Sequence, residues 1–398
     1  MGLEGRRVVV AGGAVGGMAA ALLLARAGAS VTVLERVAEP AAVGAGLLLQ
    51  PNGLAVLAGL GLDGELGQAG HRMAGTGAVR SASGAPLARV RVPDFGGGLD
   101  HVLAIRRSRL HELLLAAVRT AQPAVALRLG AEVTGAAGDG TVSFQAGGVG
   151  GGVEGDLVVG ADGVGSVVRA GGDFGATTRP GPTYLRGLVP GDDLGLEGEW
   201  WTPLGLFGGA PMGDGSTYFY ASAARPAVAA ALAAGDLAGL RAAWAAALPL
   251  AGRVLERVQD PGQLLVNQVT RVDCERWHDG RRVLVGDAAH AMAPNLGQGA
   301  NSALVDAAVL AVELAGDGPP ERALARYQAR RRPAVRRVQD RADQLARLSG
   351  LTSPALRLAR DAALRLAARA PGAAARLDTL VQQEDPAELR RTVGRIRR

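Results

Sequence analysis

The sequence contains no lysine; all 43 of its basic side chains are arginine, in a chain of 398 residues. Together with 60 glycines and a great deal of alanine, this bias reads as GC-rich coding, not as a choice made for function. A single cysteine, Cys274, excludes an internal disulfide and fits a reducing compartment. A lone thiol of this kind is read as a small buried residue. No charge-free run of about 18 residues looks like a membrane span, so no stable membrane anchor is expected. A strand opens almost at the first residue, which argues against a cleaved signal peptide and for a cytoplasmic protein. Acidic residues thin out late in the chain: from Glu321 onward 19 arginines face eight acids. These arginines alternate with Leu and Ala at helical spacing and carry no interleaved aromatics. They read as solvated helix faces, and no nucleic-acid partner is expected.

The chain is long enough for two domains. Arg7–Ala11 reads as a strand, Gly12-Gly-Ala-Val-Gly-Gly17 as a glycine loop, Met18–Ala27 as a helix and Ser30–Leu34 as a second strand, with Glu35 directly after it. This is a βαβ dinucleotide-binding unit. Its acidic residue lies about 20 positions past the glycines, where a carboxylate can accept from a ribose 2′-hydroxyl. The middle glycine of the G-x-G-x-x-G pattern is Ala14, a tighter fit against a pyrophosphate, with Gly13 and Gly16 giving room beside it. Glu35 favours an unphosphorylated ribose, although neighbouring Arg36 argues the other way. Gly44–Gly46 and Gln50-Pro-Asn52 precede an apolar helix, Leu54–Leu60. They are read either as backbone lying against a flat ligand or as a loop with a helix N-cap at Asn52.

Residues 71–100 suggest strands that leave the first domain, among them Leu87–Val92. A helix opens near Ile105, placing Arg107 where it reaches a phosphate or a ring carbonyl. Residues 125–160 read as a small antiparallel patch ending in the buried run Asp156–Gly163. There Asp162 is a candidate to bond backbone or phosphate-bound water, and Arg169 either braces the structure or faces a cofactor. From Asp173 the character changes. Strand-like pieces at 183–189, 198–206 and 216–221 alternate with loops, a helical region follows over Pro226–Leu248, and the region holds Tyr184, Trp200, Trp201, Phe207, Tyr218, Phe219 and Tyr220. That gathering of aromatics suits a sheet covering an apolar ligand, with Arg186, Trp201, Phe207, Tyr218 and Tyr220 as candidate substrate contacts. Arg186 is a candidate partner for a carboxylate.

The last motif is Arg282–His290 with Pro294 and Gly297–Asn301. Val283–Val285 reads as a strand buried on both faces. Gly286 ends it, and Asp287 offers a carboxylate at the strand's carboxyl end, where open α/β sheets bind ligands. From Gly299 a helix of small residues would turn its N-terminal N–H groups and positive dipole end toward the same place. Beyond Glu321 the chain reads as helical, with breaks at Pro333, Pro354 and Pro371.

Taken together, the Gly12–Gly17 loop with Glu35, Arg107 with Leu110, Gly160–Arg169, and Gly286–His290 with Pro294–Asn301 resemble the FAD-dependent aromatic hydroxylases. These are the group A flavoprotein monooxygenases related to p-hydroxybenzoate and salicylate hydroxylase. The resemblance implies an α/β fold: a Rossmann-like FAD-binding domain (1–75, 100–172 and 276–340), an inserted mixed β-sheet substrate domain (76–99 and 173–275), and C-terminal helices (341–398). A further C-terminal domain is not expected, and the Trp-x-Trp motif of flavin halogenases is absent.

Carried over residue by residue, the resemblance implies that Gly12, Gly13, Ala14, Val15, Gly16 and Gly17 cradle the FAD pyrophosphate. Glu35, with Arg36 beside it, would hold the ribose. Arg107, Asp162, Gly286 and Asp287 would contact the middle of the cofactor, and Pro294, Gly297, Gly299, Ala300 and Asn301 would line the isoalloxazine. His290 is expected to bond locally, and no protein nucleophile is expected. NAD(P)H would bind transiently, and one oxygen atom of O2 would reach an aromatic substrate through a flavin C4a-hydroperoxide. Alternatives are a flavin-dependent epoxidase or isoprenoid reductase, or a flavin-loaded binding protein. A monomer or homodimer is expected.

Overall fold

The computed structural model describes residues 3–39, 46–73, 76–122, 124–370, 372 and 380–396. Its centre is a six-stranded sheet. From one edge the strands run His278–Asp279, Arg282–Leu284, Leu157–Gly160, Arg7–Ala11, Ser30–Glu35 and Ala126–Leu129. All neighbours are parallel except the first pair. Arg7–Ala11 (β1) lies between Ser30–Glu35 (β2) and Leu157–Gly160, and its Val8, Val9 and Val10 are buried. A strand covered on both faces needs this unbroken run of β-branched residues. The helix Val15–Arg26 (α1) connects β1 to β2 and is buried from Met18 to Ala25.

The second large sheet has seven strands, in the order Leu265–Cys274, Ala176–Pro190, Ser216–Ser222, Gly205–Pro211, Gly198–Thr202, Thr76–Ser81 and Pro86–Arg91. It is mixed, because Gly198–Thr202 runs parallel to Thr76–Ser81 while its other pairings are antiparallel. Residues 76–91 thus leave the first half of the chain to finish the edge of this sheet. Its outer face packs Phe207, Phe219 and Trp244 into a core of their own.

Several expected boundaries shift. The stretch 198–206 is not one strand but the start of a hairpin, with a turn between Thr202 and Gly205. The helical region 226–248 divides into Pro226–Ala233 and Leu237–Ala247, with Asp236 capping the second by accepting from the Gly239 N–H. Ala126–Leu129 does not join the antiparallel patch of 131–154. It pairs parallel with β2, because the helix Arg107–Arg119 makes it the closing strand of a crossover. Asn52 is not an N-cap. The helix starts at Pro51, where the missing N–H costs nothing, and Asn52 is buried and bonded to Gln298 and Gln382. Pro333 makes no break in Pro320–Ser349. It is exposed, as is Ala329, so the carbonyl freed by the missing N–H can turn to water while Arg331, Ala334 and Val335 hold the opposite face. Pro354 opens a new helix as expected; Pro371 and the Gly44–Ala45 part of the early glycine turn lie outside the described residues.

Candidate functional site

The glycine loop leaves β1 at Gly12, whose φ of +99° only glycine adopts easily. A Cβ on Gly17 would sit 1.9 Å from the Gly12 carbonyl oxygen. The first turn of α1 can therefore pack this close to the strand end only without a side chain. Ala14 explains why its departure from the glycine pattern is tolerated. At φ −80° it is ordinary extended backbone, and it is the N-cap of α1. That helix has no side-chain cap and no acid in its first turn, so its leading N–H groups are left for a ligand. Glu35 closes the loop, with Oε2 accepting from the Gly13 N–H at 2.6 Å and Oε1 from the Val37 N–H at 2.9 Å.

Two cavities meet at this loop. One, of about 690 Å³, holds Gly12, Glu35, Arg36 and Asp162; the other, of about 500 Å³, holds Gly16, Gly286, Asp287, Pro294, Gly297, Gly299 and Ala300. Ala14, Val15, Arg107 and Arg186 line both, so the two form one bent cleft. Gly13, Gly17 and Asn301 are not among the lining residues. Gly13 turns its N–H to Glu35, Gly17 packs under Gly12, and Asn301 is buried, joining Gln50, Leu48 and Gly297. Asp162 spends both carboxylate oxygens locally, accepting from Ser166 Oγ and the Val167 and Val168 N–H groups. Arg169 braces two turns by donating to the carbonyls of Ala288 and Val164.

Gly286, at φ +60°, turns the chain from the buried strand Arg282–Leu284 into the short helix Asp287–His290, leaving the Asp287 side chain exposed in the cleft. Gly297, at φ +62°, then sets the start of the 17-residue helix Gly299–Ala315, which also lacks an acid in its first turn. Asn295 lines the same wall; its Oδ1 accepts from the Tyr184 hydroxyl at 2.8 Å, while its buried Nδ2 has no partner among the described residues.

The facing wall is the inner side of the seven-stranded sheet. Arg186 pairs across the ladder with Tyr220, and Leu188 with Tyr218. Tyr184, Arg186, Tyr218 and Tyr220 line the cleft. Burial pushes the hydroxyls of Tyr184, Tyr218 and Tyr220 above the ordinary phenol range, so they stay protonated. Two other candidates do not line the cleft. Phe207 points to the opposite face and stacks on Phe219. Trp201 packs with Leu87 and Leu206 beneath the Arg360 guanidinium. Cys274 is buried and its thiol is pushed up to about 11, as expected for an inert residue.

Four contacts at the site were not legible, although Gln50 and His290 themselves lay in stretches already singled out. His111 Nε2 donates to the Gly13 carbonyl oxygen, 3.0 Å away. Gln50 donates to the Leu296 carbonyl across the cleft floor. His290 bonds locally, as expected, but its partner is the fully buried Asp306, at 2.5 Å. Asp306 also accepts from Arg331 Nε at 2.8 Å and from the Gly286 N–H at 2.9 Å. Burial alone would raise the Asp306 carboxyl; the His290 and Arg331 charges and the hydrogen bonds override it and hold it at about 2. Lastly, residues 381–384 return to the cleft. Val381 lines it, and Gln383, at φ +64°, bonds Gln298, Ser302 and Arg331. The sequence signal for the buried network was an aspartate inside an otherwise apolar helical stripe.

Among the described residues no group of side chains could hold a metal ion, and no helix is long and apolar enough to cross a membrane. The sequence profile of the FAD binding domain family matches residues 6–188 and 244–342. The chain is 34% identical over 347 residues to the aurachin C monooxygenase/isomerase of Stigmatella aurantiaca, covering 84% of this chain and 87% of that protein. It is likewise 34% identical over 365 residues to the 3-amino-4-hydroxybenzoate 2-monooxygenase of Streptomyces cremeus, covering 85% and 86%. Among solved structures it is similar to the tetrameric form of 2-methyl-3-hydroxypyridine-5-carboxylic acid oxygenase (TM-score 0.74, 28% identity, 90% and 96% covered). It is also similar to a Klebsiella pneumoniae HpxO variant complexed with FAD (TM-score 0.77, 25% identity, 95% and 99% covered).

Proposed function

This chain belongs to the FAD binding domain family, among the FAD-dependent aromatic monooxygenases of group A, and on that premise we propose how its cleft works and on what it acts. The observation that carries the reading is the single bent cleft whose one end is glycine loop and carboxylate and whose other end is a tyrosine- and arginine-bearing sheet. The donor set fits FAD. Two helix N-termini free of acids and caps, the exposed Arg107 and the unpartnered Asn295 Nδ2 suit an anionic, acceptor-rich ligand. In this reading the N–H groups at Val15 and Gly16, with Arg107, hold the pyrophosphate, and Glu35 accepts from the ribose. Asp287 accepts from hydroxyls further along. Pro294, Gly297 and Ala300 would line the ring's site, and the positive end of Gly299–Ala315 would favour negative charge there.

Reduced FAD, when bound, supplies the activation of O2 and the transfer of one oxygen atom to an electron-rich carbon. The chain's own part is to orient and to exclude water. Tyr184, Tyr218, Tyr220 and Arg186 place an aromatic or heteroaromatic substrate over the cofactor, Arg186 meeting an acidic group or ring oxygen. The names of the relatives support that substrate class. NAD(P)H is the reductant and binds transiently. We infer the division into residues 1–75, 100–172 and 276–340 for the cofactor, 76–99 and 173–275 for the substrate, and 341–398 as C-terminal helices. Purified protein is expected to carry FAD and to oxidise NAD(P)H faster when an aromatic ligand is added. The product is expected to be heavier by one oxygen atom. A colourless protein that refuses flavin, or a flavoprotein whose NAD(P)H oxidation ignores every aromatic compound, would refute the reading.

A further inference from the structure

Glu199 is a carboxylate that nothing above uses, set on the inner face of the aromatic sheet beside Trp201. Its Oε1 accepts from Trp201 Nε1 at 2.5 Å and its Oε2 from the Tyr220 hydroxyl at 3.2 Å. Its pKa is raised: desolvation is the largest influence, and the two donors offset it only in part. The pair depends on a bare strand between the two residues. Gly208 pairs with Tyr220 on one side and Glu199 on the other, and a Cβ there would lie 2.7 Å from the Tyr220 hydroxyl oxygen. The Tyr220 ring therefore crosses Gly208 to reach Glu199, while Tyr220 itself lines the cleft.

With Glu199 ionised, hydrogen-bond chemistry fixes the polarity of this arrangement. An indole N–H only donates, an ionised carboxylate only accepts, and a phenol has one proton. With that proton committed to Glu199, the Tyr220 oxygen has only lone pairs left for the cleft. We propose that Glu199 is a specificity-setting positioning residue: it holds Tyr220 as a hydrogen-bond acceptor, so the site selects aromatic substrates that present an O–H or N–H donor to that oxygen. The proposal deepens the monooxygenase reading and rests on it.

Glu199→Gln makes the idea testable, because a glutamine cannot accept at both ends. Trp201 must keep the amide oxygen, so the amide NH2 meets Tyr220 and donates to it. The Tyr220 proton is then released into the cleft, and its polarity reverses. The experiment measures dissociation constants by flavin absorbance for two matched probe pairs, 1-naphthol with 1-methoxynaphthalene and 4-hydroxybenzoate with 4-methoxybenzoate. Flavin-loaded full-length wild type, E199Q, Y220F and the double variant are compared. The wild type is expected to prefer the hydroxyl member of a pair by about tenfold, the worth of one net hydrogen bond. E199Q should reverse that preference toward the ether. Y220F should abolish it, and the double variant should match Y220F, since Glu199 acts through Tyr220. A wild type that favours the ethers or binds no probe, an E199Q ratio unchanged from wild type, or a Y220F protein that keeps the preference would each overturn the proposal. Y220F decides the matter even if E199Q fails to fold. Flavin content and NAD(P)H reduction, measured on the same samples, report separately on the parent reading.

Discussion

The two walls of the cleft are made in opposite ways. The cofactor wall is mostly backbone: glycine turns at Gly12, Gly286 and Gly297, and the ends of helices whose first turns carry small residues. The substrate wall is mostly side chain, with Tyr184, Arg186, Tyr218 and Tyr220 rising from neighbouring strands. Backbone donors are fixed by the fold itself and suit a constant ligand. Side chains on a sheet face can be exchanged without disturbing the ladder, and suit a ligand that differs between relatives. The cofactor wall should therefore fail by losing its fold or its flavin, and the substrate wall by changing its preferences.

The sharpest way to break that contrast is Gly17→Ala. The added methyl would meet the Gly12 carbonyl at 1.9 Å, and the variant is expected to yield no folded, flavin-bearing protein when checked by circular dichroism and flavin content. Next comes Asp306→Asn, which takes from buried Arg331 its nearer charge partner and leaves only Glu384, 3.9 Å away. A loss of about 3–5 kcal/mol is expected in denaturant unfolding. The same carboxyl gives a pH signature. Its folded pKa of about 2 lies below the ordinary 3.8. Its stabilisation is therefore complete above the ordinary value and is lost as pH falls toward the folded one. The acid limb of the wild-type stability curve should flatten in the variant.

Glu35→Ala removes an acceptor shared by the loop and, in our reading, the ribose. FAD affinity is expected to fall roughly tenfold to a hundredfold, measured by fluorescence titration. On the other wall, Arg186→Gln should raise KM for an acidic aromatic about tenfold while FAD affinity stays as in wild type; an unchanged KM would remove Arg186 from the substrate site. Phe207→Leu gives the smallest effect. It should cost about 1–2 kcal/mol of stability and leave the ranking of substrates as it was, since Phe207 faces the outer core.

The same asymmetry governs what could be read in advance. Strand, glycine loop, helix and Glu35 were legible because a turn of that tightness admits few residues. The Gly286–Asp287 turn was legible for the same reason. The aromatic strands were visible as strands, but the face each ring takes was not. Alternation places Trp200 and Trp201 on opposite sides whichever way the strand turns, and only the partner strands decide which side is the cleft. That is why Phe207 was expected at the substrate and stands behind it. Pro333 misled because a helix with one well-packed face tolerates a proline on its wet face. Arg331 was hidden among Arg330 and Arg332, Gln382 meets Asn52 330 positions earlier, and Gln383 meets Gln298 85 positions earlier. No local pattern announces such contacts.

Residues 381–384 are made after everything they touch, yet Val381 forms part of the cleft and Gln383 ties two of its supports together. During synthesis the cleft therefore lacks one side until these residues emerge from the ribosome. A nascent chain in which Val381 has not yet emerged should consequently hold flavin more weakly than one in which residues 381–384 are in place.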